Sequence, residues 1–339
     1  MHTHLAPALL LRNHLYIQTT MPIKLFSHAG ADRPLLAIAL LLIATFTLAL
    51  QDSLMKLMSA DTTFWQIQTL RSLSNVVITL LLAVMPAVAS GGMLLLKPRN
   101  VKGVYLRAFF LLITMFFFFS GAPFLSVTEM AAGLYTYPVF VCLLAGPVLG
   151  EVVGRWRIAS IVLGSIGALI VISPWQDEFS SVQLLPVTAG FFFACNILTL
   201  RSACRQESTL ALAFAAGLLF LVAGLTGIAV LSVFPLPISI QTSMPYVAIG
   251  WPQLTWLIAC FAVLASALNL AGNICMTRAY QTADVSLLAP IDFSYLIFAA
   301  LWGRIIFSEW PTTNTIIGML LIIGAGVTIA WREHKSVRT

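Results

Sequence analysis

The chain has 339 residues, of which 60% are hydrophobic and only 9% charged, whereas an ordinary soluble domain is about a quarter charged and under half apolar. Its apolar residues fall in blocks of about 18–25, long enough to cross roughly 30 Å of hydrocarbon as helix, rather than in alternating ten-residue strands. That excludes a soluble globular protein and a membrane β-barrel, and the formal charge of +6, carried by single basic residues at block ends, forms no patch for nucleic acid.

In chain order, residues 1–34 read as a disordered cytoplasmic tail. Its apolar piece LAPALLLR has no basic stretch before it and no small-residue cleavage site after it, so it does not read as a signal peptide. Met21 followed by PIKLF is an equally good start, which leaves residues 1–20 as an extension. Ten apolar spans follow, at 35–58, 64–90, 104–123, 127–149, 156–174, 183–201, 208–234, 254–277, 284–307 and 312–331. After the seventh, SVFPLPISIQTSMPYVAIGWPQ is too proline-rich for a helix and reads as a long loop. The fold class is an all-α integral membrane protein of ten transmembrane helices.

Charge sets the expected topology. With the amino terminus inside, fifteen of the eighteen Lys and Arg fall at cytoplasmic ends, all but Lys56, Arg71 and Arg304. The outer loops carry Asp61, Asp177 and Glu178. This fits the positive-inside rule for an even number of spans with both termini cytoplasmic, in the inner membrane of a bacterium.

A repeat appears when Glu151 is laid on Glu309 without gaps. YTYPVFVCLLAGPVLGE (135–151) then pairs with FSYLIFAALWGRIIFSE (293–309), matching Tyr135 to Phe293, Thr136 to Ser294 and Tyr137 to Tyr295. Two halves of five spans each would enter the membrane with opposite orientation, as in the inverted repeats of secondary transporters. The expected units are a first repeat at 35–175, a second at 183–333 and a cytoplasmic tail at 334–339. Prolines break the correspondence: Pro138 lies thirteen residues before Glu151, Pro290 nineteen before Glu309.

The segment AAGLYTYPVFVCLLAGPVLGEVVGRWRIASIVLGSIGALIVISP resembles the fourth and fifth helices of an EamA-type member of the drug/metabolite transporter superfamily. TRAYQTADVSLLAPIDFSYLIFAALWGRIIFSEWPTTNTIIGMLLIIGAGVTIAWRE is similar to its ninth and tenth, with LALQDSLMKLMS and QTLRSLSN adding support in the first and second. The resemblance implies ten helices in two EamA-like repeats. It also implies a polar cavity lined mainly by the third, fourth, eighth and ninth helices, and movement of a small metabolite without ATP.

A charge at the bilayer centre costs at least about 2.5–3.5 kcal/mol, so each embedded ionisable group needs a reason. Asp292 follows Pro290, whose missing donor opens the backbone; it either binds a substrate amine or carries a coupling proton, with a structural hydrogen bond as the plain reading. Asp52 and Lys56 stand at i,i+4 and read as a self-neutralising pair. Arg71 lies about 10 Å inside the second span by helical rise and awaits either Asp52 or Glu129 as partner or a substrate carboxylate. Glu129 suits the N-terminus of the fourth helix, and Glu151 and Glu309 end corresponding helices at opposite faces.

Asn269 and Asn273 share a face of the eighth span and serve as interhelical glue or cavity lining. Tyr137 and Tyr295 head the aromatic rows of the paired segments, where they either pack or face a planar or cationic substrate. The expected substrate-binding set is therefore Asp292, Tyr137, Tyr295, Asn269, Asn273 and Arg71. The coupling or gating set is Asp292, Glu129, Glu151, Glu309 and Pro290.

All five histidines sit in the two tails, the five cysteines form no CxxC pair, and neither GxxxxGK[ST] nor HExxH occurs. These facts speak against an embedded metal site, a cofactor, an ATP-driven pump and Ser/His proteolysis. An aspartate-pair enzyme would need Asp52 and Asp292 to meet, and both are expected near opposite faces. The reading is a non-enzymatic secondary transporter, inclined toward export of an amino-acid-like, metallophore or drug-like compound, with uptake of a vitamin or nucleoside derivative as the alternative. Its partners are a small-molecule substrate and the lipid bilayer, with protons as candidate coupling ion and a homodimer as candidate assembly.

Overall fold

Helices account for every regular element among the described residues of the computed structural model, which are 34–84, 95–149, 155–173, 175, 180–204, 207–282, 288 and 291–336. The helices are α1 (Pro34–Met58), α2 (Phe64–Val84), α3 (Val101–Ser120), α4 (Val127–Leu134), α5 (Tyr137–Leu149), α6 (Arg155–Ile172), α7 (Leu184–Ala203) and α8 (Thr209–Val233). They continue with α9 (Ile238–Ser243), α10 (Pro245–Ala248), α11 (Trp256–Thr282), α12 (Ser294–Phe307) and α13 (Thr313–Ser336). Among the described residues, seven segments are long and apolar enough to cross a membrane, one of them being α4 and α5 taken together (Val127–Leu144); shorter apolar helices lie at Ile161–Ile172, Ser294–Phe307 and Thr313–Ala325.

Polarity is distributed for a lipid solvent. Outward positions carry large apolar side chains such as Leu81, Phe109, Val222, Ile297 and Leu320, while Gln51, Gln68, Arg71, Asn196 and Ser266 are buried inside. An amide or guanidinium facing hydrocarbon would lose its hydration without replacement, so these residues turn their helices inward.

Each long helix has a definite partner. The first packs on α11 and α12, α3 on α7, α2 on α8, α6 on α13, and α4 and α5 both lean on α7. Lipid tails are as apolar as leucine, so close backbone approach replaces hydrophobic drive in holding such pairs. At the α6–α13 crossing a Cβ on Gly167 would stand 2.8 Å from the carbonyl oxygen of Gly318, and one on Gly318 2.6 Å from that of Gly167. Any side chain at either position would push the helices apart.

Two expectations change. The fourth span is not one helix but α4 and α5, with a turn at Tyr135 and Thr136; Pro138 supplies no N–H for the Leu134 carbonyl and its ring crowds that turn. The proline-rich stretch after the seventh span is not an open loop, since it folds into α9 and α10 against the start of α2. Trp65 Nε1 donates to the Val247 carbonyl (2.8 Å), Thr63 Oγ1 to that of Gly250 (3.0 Å) and Gln66 Nε2 to that of Pro252 (2.9 Å). Pro245 is tolerated because it stands in the first turn of α10, where its missing donor would have no helical partner. The last helix runs to Ser336, past the expected end at 331.

Candidate functional site

The break between α4 and α5 is built locally. Ser126 caps α4 by accepting from the Glu129 N–H, and the Glu129 carboxylate returns the bond to the Ser126 N–H (2.9 Å), a capping box. Eight residues later the helix stops, and Thr136 Oγ1 donates to the Gly133 carbonyl (2.7 Å) within the turn. Gly190 of α7 makes the close approach possible: a Cβ there would lie 2.7 Å from Thr136 Oγ1 and 3.0 Å from the Leu134 carbonyl.

A second break faces it. Residues 291 and 292 are helical, Phe293 turns, and α12 starts at Ser294, whose hydroxyl bonds Thr45 of α1 (2.8 Å). The two turns coincide at one pair of the gapless alignment, Tyr135 with Phe293, while Thr136 is still in the turn where its counterpart Ser294 already begins a helix. The mismatch of Pro138 and Pro290 therefore does not prevent matching breaks. Pro290 and Glu151 lie outside the described residues.

Where the breaks meet, aromatic rings and carboxylates interlock. The rings of Tyr135 and Tyr295 stack at 5.1 Å, and Tyr135 meets Phe293 at 5.6 Å. Tyr135 donates its hydroxyl to the backbone carbonyl of Asp292 (3.2 Å), Tyr137 donates to Asp292 Oδ2 (3.3 Å), and Tyr295 donates to Asp52 Oδ2. The other carboxylate oxygen of Asp292, Oδ1, is buried without a hydrogen-bond partner. From Asp52 the chain of bonds continues through Gln51 Nε2 (3.1 Å) to Asn269 Nδ2, which donates to Gln51 Oε1 (3.0 Å), and Asn273 Nδ2 donates to the Asn269 carbonyl (2.7 Å). A polar path thus runs from α11 across α1 and α12 to α5.

Of the expected binding residues, the structure brings Asp292, Tyr137, Tyr295, Asn269 and Asn273 onto this path. Arg71 stands beside it, 4% exposed on α2, with its guanidinium 5.9 Å from the Phe119 ring. It forms no ion pair with Asp52 or Glu129, because Tyr295 and Gln51 hold the first and the capping box holds the second. The expected Asp52–Lys56 pair does not form either. Lys56 Nζ bonds Glu309 Oε1 at 2.5 Å and lies 4.5 Å above the Phe307 ring, since the long lysine stem reaches outward while the short Asp52 side chain is captured by Tyr295. Glu309 Oε2 also accepts from the Val127 N–H (3.4 Å), tying the ends of α1 and α12 to the start of α4.

Sequence reasoning placed Asp52 and Asp292 near opposite faces; instead both are held by the stacked tyrosine pair and Tyr137. It also passed over Gln51, whose position beside Asp52 within an apolar span was the available signal. On α7 the buried Oδ1 of Asn196 has no partner. Asn196 shares its helix with Phe193, which meets the Tyr137 ring edge-on at 5.0 Å.

Long apolar helices, two facing breaks in them and half-buried carboxylates beside those breaks define a polytopic helical membrane protein with a polar centre. Residues 35–173 match the EamA-like transporter family. Relatives include the riboflavin transporter of Vibrio cholerae, 27% identical over 60% of this chain and 63% of that protein, so the match spans a little under two thirds of that relative. The pseudopaline exporter of Pseudomonas aeruginosa is 25% identical over 86% of this chain and 95% of its own. The S-adenosylmethionine uptake transporter of Rickettsia bellii is 24% identical over 76% and 81%. A crystal structure described only as that of a protein shares the fold over 88% of this chain and 98% of its own, with a TM-score of 0.54 and 16% identity.

Proposed function

We propose that the protein is a secondary active transporter that carries a small polar or amphiphilic metabolite across the bacterial inner membrane by alternating access, with export as its working direction. The observation that carries this reading is the pair of facing helix breaks with Asp52 and Asp292 half-buried between them. Irregular backbone at membrane depth is tolerated only where it is covered by protein or lines a cavity, and transporters place substrate and ion sites at such breaks.

The architecture proposed is ten spans in two inverted repeats, 35–175 and 183–333, with both termini cytoplasmic. Helix packing supports it. Counting α4 with α5 as the fourth span and α11, α12 and α13 as the eighth to tenth, a shift of five turns the first–eighth contact into the sixth–third and the first–ninth into the sixth–fourth. The same shift returns the second–seventh and fifth–tenth contacts to themselves. Rocking one repeat against the other would part the Tyr135–Tyr295 stack and the Lys56–Glu309 pair in alternation with closure at the opposite end.

Asp292 is the proposed coupling residue, taking a proton or a substrate amine at its unpartnered oxygen, and Tyr137, Tyr295, Asn269 and Asn273 line the path beside it. Glu129, Glu309 and Glu151 are the proposed boundary and gate groups. Uptake is the second reading, favoured by the riboflavin and S-adenosylmethionine transporters among the relatives. Purified protein in liposomes should show saturable, counterflow-stimulated flux of a metabolite, and cells overproducing it should lose that metabolite to the medium. Accumulation inside the cells would reverse the direction, and flux without counterflow would remove the carrier reading.

A further inference from the structure

Beside the tyrosine pair, α2 carries a cation with no direct ion pair; the carboxylate whose field it feels, Asp52, is itself held by Tyr295 and Gln51. The Nε and Nη1 of Arg71 are buried without a hydrogen-bond partner, and no ion pair to it occurs among the described residues. Its backbone is pinned by Ser266 Oγ, which donates to the Arg71 carbonyl (3.1 Å), so the side chain projects from a fixed point. Gln68, one turn earlier on α2 and fully buried, spends its Nε2 on Ser72 (3.3 Å) and leaves Oε1 unpaired. A half-turn of that amide would present an N–H instead.

Tyr246 enters from the other side. It is a buried residue of the 234–255 segment, 2% exposed, with its ring 6.4 Å from Phe64, and its hydroxyl also has no partner. Burial pushes its phenol well above the ordinary value while the Arg71 charge pulls it part of the way back, so at neutral pH it is a hydroxyl donor within reach of the Arg71 field. Three buried groups therefore share unspent hydrogen-bonding capacity, and one of them is a guanidinium without a direct ion pair. Native interiors rarely leave such a set unsatisfied without a ligand or a functional reason.

We propose that Arg71 and Tyr246 form a subsite for a carboxylate of the transported metabolite, roofed by the 234–255 segment, which must lift from α2 to admit it. This rests on the transport reading and narrows its substrate class to organic acids, including amphoteric ones. The ties that hold the roof are the three side-chain bonds from Thr63, Trp65 and Gln66 to the carbonyls of Gly250, Val247 and Pro252, all of which can be remade with water when the segment opens.

The test is the melting temperature of the purified full-length protein in detergent, with millimolar benzoate, glutarate and inorganic phosphate compared with benzamide and glutaramide. A carboxylate that occupies the subsite raises the melting temperature by mass action, and its amide does not. Arg71→Met should abolish the shift while leaving ligand-free melting unchanged or higher, because it replaces a partnerless buried charge by an apolar chain of similar length. Arg71→Lys should keep a reduced shift, and Tyr246→Phe should weaken the acid about 10-fold. The subsite is overturned if neither carboxylate shifts the wild type, if phosphate alone does, if the shift survives Arg71→Met, or if that variant melts much lower without ligand. Counterflow that persists in Arg71→Met would remove the subsite and leave transport standing, whereas acid binding in a protein without counterflow would remove transport and leave the subsite.

Discussion

Tyr135 and Tyr295 stack with ring centroids 5.1 Å apart and planes 15° from parallel, and their hydroxyls leave the stack in different directions, one to the backbone carbonyl of Asp292 and the other to the carboxylate of Asp52. A single ring pair thus joins two helix breaks and two half-buried acids. Movement of either helix alters the environment of both carboxylates.

Tyr295→Phe removes the donor to Asp52 and keeps the ring. A buried acceptor left without its partner costs about 1–3 kcal/mol, and about 1.4 kcal/mol is a factor of ten in a rate. The variant should melt a few degrees lower and transport roughly tenfold more slowly. Unchanged flux at wild-type expression would place the Asp52–Tyr295 bond outside the mechanism.

Asp292→Asn keeps the volume and removes the ionisable group. Concentrative transport in liposomes should fall nearly to background. A proton-carrying Asp292 leaves substrate exchange intact in the variant, while an amine-binding one loses exchange and substrate binding together. Full accumulation by Asp292→Asn would show the carboxylate to be structural.

Gly190→Ala would place a methyl group 2.7 Å from Thr136 Oγ1 and 3.0 Å from the Leu134 carbonyl. Overpacking of this kind costs about 1–3 kcal/mol, so melting in detergent should drop and flux with it. Gly324→Ala is the control: its methyl would meet only Leu163, at 3.8 Å, and should be nearly silent.

The Lys56–Glu309 bond is partly open to its surroundings, with side-chain exposures of 11% and 31%. A double-mutant cycle with Lys56→Met and Glu309→Gln should return a coupling of about 1 kcal/mol or less, shrinking in high salt. A markedly larger, salt-insensitive value would mean that the pair is a sealed core contact rather than a gate.

Cysteine replacements at Asp61 and Arg201, both exposed, test the orientation in a background without the five native cysteines. With both termini cytoplasmic, an impermeant thiol reagent should label position 61 in intact cells and spare position 201. The opposite pattern would invert the whole assignment.

Much of this was legible in the chain because lipid makes sequence unusually literal. Blocks of apolar residues must be helices when no water is present to satisfy the backbone, so the helical class, the short 59–63 connection and the apolar outer faces could be read directly. The breaks at Tyr135–Thr136 and Phe293 could not: both segments read as continuous spans, and their prolines do not align. What the sequence could not determine was partnership. Asp52 had Lys56 one turn away and Arg71 in the next helix as plausible ions, yet it took a tyrosine hydroxyl from α12, and Lys56 crossed to Glu309. Side chains within about 4 Å decide such choices, and those distances depend on close helix crossings such as Gly190 against Thr136 and Gly167 against Gly318, which no linear pattern specifies. The same holds for Tyr246: in the chain it lies in a proline-rich connection, and only the packing of that connection on α2 carries it inward to face an unpaired arginine.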